Sequence, residues 1–370
     1  MSGEQRMSPQ QRDRDPIFIT PSVSITQALK QLDKAATKVL LVVDDSLRLL
    51  GTISDGDIRR YILRSGTLEG TVEQAMNPEP IVVFEDHHLS HTALRELFIR
   101  RSLSVLPVVD HEKRVVNYWT WRELFAEEDH PSVQSAALAN VPVVIMAGGK
   151  GTRLDPFTRV LPKPLIPVGD KTIIEHIIDR FRQYGAQQFY ITVNYKAEML
   201  EAYFQGLQPP YDVVFVREPE FLGTAGSLSL LRDTLSTDFI LSNCDIILDI
   251  DLADLVSFHR EQQSSLTSVV AIQHHRIPYG VVQMQNGGQI QKIIEKPEYT
   301  FPVNAGVYVM SPQIFQYLPE ATAVDMPQLI DTLLQSQETV LGYPVPSGAY
   351  LDVGQWAEYK EAVKKLMMRE

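Results

Sequence analysis

Between residues 17 and 127 the apolar positions run twice through one cycle. ITQALKQL followed by KVLLVVDDSLRLLGTISDGDIRRYIL returns as LSHTALREL followed by SVLPVVDHEKRVVNYWTWRELF. Helical spacing at Ile25, Leu29 and Leu32, and again at Leu89, Ala93, Leu94 and Leu97, predicts a helix opening each cycle. Val/Leu runs broken by Asp-Asp-Ser and Asp-His-Glu-Lys predict two strands joined by a turn, and a second helix closes each unit. Aligning the cycles sets Val42-Val43-Asp44 on Val108-Val109-Asp110 and Gly51 opposite Asn117. Beyond residue 140 the pattern changes. A short apolar strand at Val141 and Val143 to Ile145 is followed by a helix over 172–184, strands at 188–193 and 212–216, a helix from Ala225 and a strand at 239–241. Such alternation implies a parallel sheet with helices on both faces, where ligands gather beyond the strand C-termini.

A chain of 370 residues exceeds one ordinary domain. The expected divisions are a disordered polar tail over 1–15, repeats over 16–75 and 76–127, a linker over 128–140 (EDHPSVQSAALAN) and a larger domain over 141–370. The net charge of −12 argues against nucleic-acid or anionic-membrane partners, so any phosphate-binding cations must be local. Cys244 is the single cysteine, so no intrachain disulfide forms, which fits a reducing, cytoplasmic setting. No apolar stretch reaches membrane-spanning length and no apolar leader precedes the first repeat.

The chemistry concentrates in MAGGKGTRLDPFTRVLPKPLIP, Met146 to Pro167, directly after the first strand of the larger domain. Glycines there let backbone N–H groups approach an anion closely. Arg153 can fork onto phosphate oxygens, and Lys163, framed by prolines, supplies a point charge. The run is neither a Walker loop nor a G-x-G-x-x-G turn. AGGKGTRL with the downstream PKPLIP resembles the signature of sugar-1-phosphate nucleotidyltransferases. That resemblance implies an α/β, Rossmann-like, mostly parallel sheet of GT-A type. It also implies a nucleotide site at Ala147, Gly148, Gly149, Gly151, Thr152, Asn194 and Gly223, with Arg153 and Lys163 as the catalytic cations. It implies Mg²⁺ on Asp245, in LSNCDII, and on Asp352, in YLDVGQW. A hard cation suits carboxylates and takes its remaining ligands from substrate phosphates and water. The sugar phosphate would meet Gly280, Glu295, Lys296, Asn304 and Gly306. No β-helix acyltransferase domain is expected in the few residues after Asp352.

The repeated N-terminal cycle resembles a tandem pair of CBS domains, an α+β module. In that family a Gly-x-x-Ser/Thr-x-x-Asp stretch contacts the ribose and phosphate of a nucleotide. Gly51, Ser54 and Asp57 match it in the first repeat, implying an adenine-nucleotide site. Asn117, Thr120 and Glu123 depart from it in the second, with Trp119 and Trp121 alongside. Ser54 and Asp57 also read as a plain helix cap. The pair is expected to regulate the protein or assemble it as a dimer.

Cys244 replaces a glycine common beside the metal ligand, and glycine alone reaches positive φ cheaply. The Asn-Cys-Asp form, joined to a CBS pair, resembles guanylyltransferases that make GDP-glucosamine for legionaminic-acid-type sugars, and their mannose-1-phosphate relatives. The expected reaction is therefore nucleotidyl transfer, GTP favoured, onto glucosamine or mannose 1-phosphate, in bacterial-type surface-glycan or nonulosonic-acid synthesis. Thymidylyl or uridylyl transfer to glucose 1-phosphate is the alternative. A catalytically silent nucleotide sensor is the alternative of another class.

Overall fold

The computed structural model describes residues 15–35, 37–87, 89–101, 103–120, 123–124 and 136–367. The expected tail over 1–14, Trp121 and linker positions 128–135 lie outside the described residues. The chain divides into two compact units that do not follow sequence order. Of the described residues, those up to 124, with 272–302 and 344–347, form the first; 136–271, 303–343 and 348–367 form the second.

In the first unit the two cycles fold alike. Strands β1 (Phe18–Ile19), β2 (Val39–Val43) and β3 (Leu49–Ser54) make one sheet, and β4 (Val83–Phe84), β5 (Val105–Val109) and β6 (Val115–Thr120) make another. Val42 pairs with Gly51 and Val108 with Asn117, each beside a bulge, so the sequence alignment of the repeats is also a register in space. The turns agree as well. Asp44 Oδ1 accepts from Ser46 N and Arg48 N at 2.9 Å each, and Asp110 Oδ1 from Glu112 N at 2.9 Å and Arg114 N at 2.8 Å. These turns hold Leu47 and Lys113 at positive φ. The repeats close on each other through Ile17, Leu41, Val43, Leu49, Val105, Val109 and Val115. Helix α1 (Ile25–Lys34) buries Ile25, Ala28, Leu29 and Leu32, and Ser24 caps it by accepting from Gln27 N at 3.2 Å. Helix α2 (Asp55–Ser65) follows β3, and α3 (His91–Arg101) starts after Leu89, which stays outside it.

The second sheet system carries the catalytic candidates. Beyond residue 140 run β7 (Val143–Met146), β8 (Gln188–Val193), β9 (Asp212–Arg217), β10 (Phe239–Asn243), β11 (Ile246–Leu248), β12 (Leu266–Arg276), β13 (Val281–Met284), β14 (Ile290–Ile294), β15 (Glu298–Met310), β16 (Val340–Pro346) and β17 (Tyr350–Asp352), of which β13 and β14 fall in the first unit. Seven of them form one sheet in the order β9-β8-β7-β10-β15-β12-β16. The β9–β8, β8–β7 and β7–β10 pairs are parallel, and β15 joins antiparallel to β10. The parallel part thus holds the strands read from sequence, with β7 at its centre. Helix α4 (Ile173–Arg182) buries Ile173, Ile174, Ile177, Ile178 and Phe181 and starts from a reciprocal Thr172–Glu175 cap. Helices α5 (Ala197–Leu207), α6 (Leu252–Glu261), α7 (Met326–Gln335) and α8 (Trp356–Met367) complete the unit.

The helix expected from Ala225 is not a long one. A single turn at Gly223–Gly226 passes into a 3-10 segment at Ser227–Leu231. Ala225 N and Gly226 N both donate to Val324 O, at 2.9 and 3.0 Å, so neighbouring chain claims these amides.

Candidate active site

β7 ends at Met146, and the glycine loop begins at buried Ala147. The glycines serve different ends. A methyl on Gly148 would lie 2.5 Å from Glu218 Oε1, whereas one on Gly149 would meet nothing within 4 Å. Gly151 takes φ 64° and packs against Lys163 and Thr158, so a side chain there would be strained and crowded. Gly149 is thus the point where the loop backbone lies open. Thr152 and Arg153 follow in a 3-10 turn, and Arg153 lines a cleft of about 250 Å³.

Across the cleft, β11 and β17 pair antiparallel with Ile246 opposite Asp352. This short ladder brings together two aspartates more than a hundred residues apart in sequence. Asp245 is buried and forms an ion pair with buried Lys163. Gly354 N donates to Asp352 Oδ1 at 2.6 Å. A methyl on Gly354 would sit 2.7 Å from both Asp245 Oδ2 and Asp352 Oδ1 and 2.9 Å from Lys163 Nζ. The two carboxylates and the ammonium therefore converge on one bare backbone position. Burial, then the Asp245 charge, push the Asp352 carboxyl above its ordinary range; the Gly354 N–H, Lys163 and Arg153 oppose the shift. Two oxygen-donor carboxylates facing an open cleft fit a hard divalent cation that takes phosphate and water as further ligands. Among the described residues no cluster of three or more His, Cys, Asp or Glu offers an all-protein cage.

Cys244 is buried, and burial followed by the Asp245 charge pushes its thiol up to about 12, so it is a neutral packed group. It is not among the positive-φ residues, so its backbone does not need the glycine that it replaces. The positive φ belongs to Gly306 at 73°, where a methyl would come 2.4 Å from Asn243 Nδ2.

The expected acceptor residues fall in both compact units. Asn304 and Gly306 line the cleft. Asn304 is held in place: Oδ1 accepts from Gly306 N at 3.0 Å and Nδ2 donates to the Tyr308 hydroxyl at 2.6 Å. Gly280, Glu295 and Lys296 belong to the other compact unit, at the β13–β14 hairpin, and are not among the cleft residues. Glu295 and Lys296 are 71% and 53% exposed and pair with each other at 3.8 Å. Thr224, Tyr308, Met326 and Tyr350 also line the cleft and are not among the expected site residues. Asn194 Nδ2 donates to Glu218 O at 3.1 Å beside Gly148, and Gly223, at φ 78°, is required by its approach to Val324 O.

In the first repeat of the other unit, Gly51 abuts Asn77 O, 2.5 Å from the position of an added methyl. Asp57 Oδ2 accepts from Ser54 N at 2.8 Å and from Ser54 Oγ at 2.6 Å, and Asp57 Oδ1 pairs with Arg60. These groups satisfy one another as a helix cap. A cavity of about 230 Å³ in this unit lies in the second repeat between Phe84, His87, Val108, Asn117 and Trp119.

The sequence profile of the nucleotidyl transferase family matches residues 142–369, more than half of the chain and the whole of the cleft just described. The chain belongs to the nucleotidyl transferase family. Its N-terminal repeats match the CBS domain profile over 12–64 and 72–129. The chain is 28% identical over 255 residues to a UTP–glucose-1-phosphate uridylyltransferase of Synechocystis, covering 61% of this chain and 63% of the relative. It is 33% identical over 224 residues to a mannose-1-phosphate guanylyltransferase catalytic subunit beta of Dictyostelium discoideum, covering 57% of this chain and 60% of the relative. The chain thus spans about three fifths of the length of the curated relatives it matches. A crystal structure of HddC from Yersinia pseudotuberculosis superposes with a TM-score of 0.49 at 23% identity, covering 61% of this chain and 99% of that one.

Proposed function

We propose that the protein transfers a nucleotidyl group from a nucleoside triphosphate to a sugar 1-phosphate, releasing pyrophosphate. One observation carries the reading: Arg153, Asp245 and Asp352 share one cleft, with Lys163 bonded to Asp245 beside it. The sugar phosphate is already anionic, so in-line attack on the α-phosphorus needs no general base, and positioning with charge neutralisation supplies the catalysis. Asp245 and Asp352 would hold Mg²⁺, which when bound neutralises phosphate charge as a Lewis acid. Arg153 and the open amides at Gly149 would hold the departing pyrophosphate, and Lys163 would hold charge near the α-phosphate. Asn304 and the bare backbone at Gly306 would receive the acceptor.

GTP with mannose or glucosamine 1-phosphate is the favoured pair, supported by the guanylyltransferases among the relatives. The uridylyltransferase relative supports the alternative, UTP or dTTP with glucose 1-phosphate. Pyrophosphate release across four triphosphates and several sugar 1-phosphates tests both. Absence of release from every combination would leave the nucleotide sensor in their place.

We propose further a cytoplasmic setting and regulation or dimer assembly through the CBS pair, with an adenine nucleotide as its ligand. No helix among the described residues is long and apolar enough to cross a membrane. Thermal shift of the full chain with AMP and ATP, alongside sedimentation, tests ligand and assembly together.

A further inference from the structure

Of the two cations in the phosphate loop, Lys163 is buried against Asp245, whereas Arg153 is exposed. Among the described residues no hydrogen bond or ion pair holds the Arg153 guanidinium. A long side chain without a partner is placed only as well as the backbone that carries it. That backbone is a single 3-10 turn, Thr152–Leu154, closed by Asp155 N donating to Thr152 O at 3.2 Å. Leu154, with no exposed surface, anchors one side of the turn.

A second anchor comes from the far end of the chain. The half-buried Trp356 donates from Nε1 to Asp155 O at 3.0 Å. Its ring packs on Phe157 at 4.9 Å between centroids and edge-on to Tyr359 at 6.0 Å. The Tyr359 hydroxyl donates to Pro167 O at 2.6 Å, so the first turn of α8 grips the loop at two points. Asp155 Oδ1 also accepts from Thr158 Oγ1 at 2.8 Å, and Oδ2 from Arg159 Nε at 3.2 Å. Those bonds lie within the loop, whereas the Trp356 bond ties it to the segment that carries Asp352. Trp356 opens α8 just after Gly354, whose N–H holds Asp352 Oδ1. One short stretch of backbone thus fixes both a cleft carboxylate and the turn that bears Arg153.

Resting on the nucleotidyl-transfer reading, we propose that Trp356, backed by Tyr359, is a positioning residue for Arg153. Its N–H holds the Asp155 carbonyl so that the guanidinium meets the departing pyrophosphate in the cleft it shares with Asp352. An indole N–H donates one bond from a rigid ring, so it fixes a place and adds no charge of its own. Pyrophosphate charge develops as the donor is cleaved, so the effect falls on kcat and on pyrophosphate affinity. The KM of the sugar 1-phosphate, which would meet Asn304 and Gly306, stays as it is.

Trp356→Phe in the full chain keeps an aromatic ring against Phe157 and removes the donor. With the fastest pair of substrates it should lower kcat about 10-fold and leave the sugar-phosphate KM unchanged. That is less than the 10²-fold of a misplacement near 1 Å, because Leu154 still anchors the turn. Calorimetry with pyrophosphate and Mg²⁺ should show an affinity about 10-fold weaker. In an Arg153→Ala background the same substitution should change neither quantity, because a residue acting through Arg153 has nothing left to position. Equal losses in both backgrounds, or undiminished kcat and pyrophosphate affinity in folded Trp356→Phe, overturn the proposal and leave the transferase reading intact. If melting curves show Trp356→Phe unfolded, Tyr359→Phe, which releases Pro167 O, is read in the same cycle with the same criteria. A wild type that neither binds pyrophosphate nor releases it overturns the transferase reading beneath the proposal.

Discussion

Arg153 and Gly354 act at the cleft by opposite means, one through its charge and the other through the absence of a side chain. Arg153 lines the cleft together with both aspartates, and in the proposed transfer it is the cation that would meet a developing pyrophosphate. Removing a preorganised charge donor of this kind costs about 10²–10³ in turnover. Arg153→Ala should lose that much in steady-state pyrophosphate release with its melting temperature unchanged. Gly354 is enclosed by Asp245, Asp352 and Lys163 at distances that a methyl group cannot share. Gly354→Ala should displace the carboxylates, reduce kcat/KM by about 10²-fold, as a misplacement near 1 Å does, and raise the Mg²⁺ concentration needed for half-maximal rate. Overpacking should also cost about 1–3 kcal/mol of stability. A Mg²⁺ titration of the initial rate, with a denaturant melt, separates the two effects.

Among the elements, α6 carries a group that makes stability depend on pH. His259 is 1% exposed, and its Nδ1 hydrogen-bonds the Thr267 hydroxyl on β12 at 2.9 Å. Its Nε2 is buried without a partner among the described residues. Burial holds the imidazole below its ordinary range, so the folded chain binds its proton more weakly than the unfolded chain does. Stability from this group is therefore present above the unfolded histidine pKa of about 6.5 and lost as pH falls through the lower folded value. The melting temperature should decline on acidification below about pH 6.5, and His259→Leu should flatten that decline. Melts at closely spaced pH values check it, and an unchanged slope in the variant would assign the loss to other groups. Elements also explain how the metal candidates meet. The three-residue ladder of β11 with β17 places Asp352 opposite Ile246, next to Asp245, and no local pattern at either end announces that pairing.

On the scale of the molecule, residues 272–302 belong to the compact unit of the CBS repeats, although they lie inside the stretch matched by the transferase profile. Ile272 packs with Ile25, Ala28, Leu29 and Leu40 in that unit, Lys30 pairs with Glu298, and Ser347 Oγ donates to Asp33 Oδ2 at 2.6 Å. A chain cut to 141–370 loses all of these partners. It should melt below the full-length protein and be cut by trypsin at Arg276 and Lys292 at least several-fold faster. Equal cleavage rates in the two forms would show that the segment holds its structure without the repeats.

Much of this was legible in the amino-acid order. The repeat register, the parallel strands 188–193 and 239–241 and the glycine loop follow from periodicity and motif, because turn chemistry and apolar spacing act over a few residues, whereas the two aspartates are expected from the family resemblance. What local order leaves open depends on distant neighbours. The segment from Ala225 is a short turn whose first amides donate to a carbonyl about a hundred residues away, and Glu295 and Lys296 group with a different unit from Asn304 and Gly306. Gly51, Ser54 and Asp57 are satisfied within their own repeat, while the cavity opens in the other. Glu218 carries no motif signal, since only the packing of β7, β8 and β9 buries its carboxylate beside Gly148. Local order therefore determined which elements form and which loop is built for phosphate. Tertiary structure alone decided which charges are desolvated together, because burial and convergence depend on chain segments that periodicity does not connect.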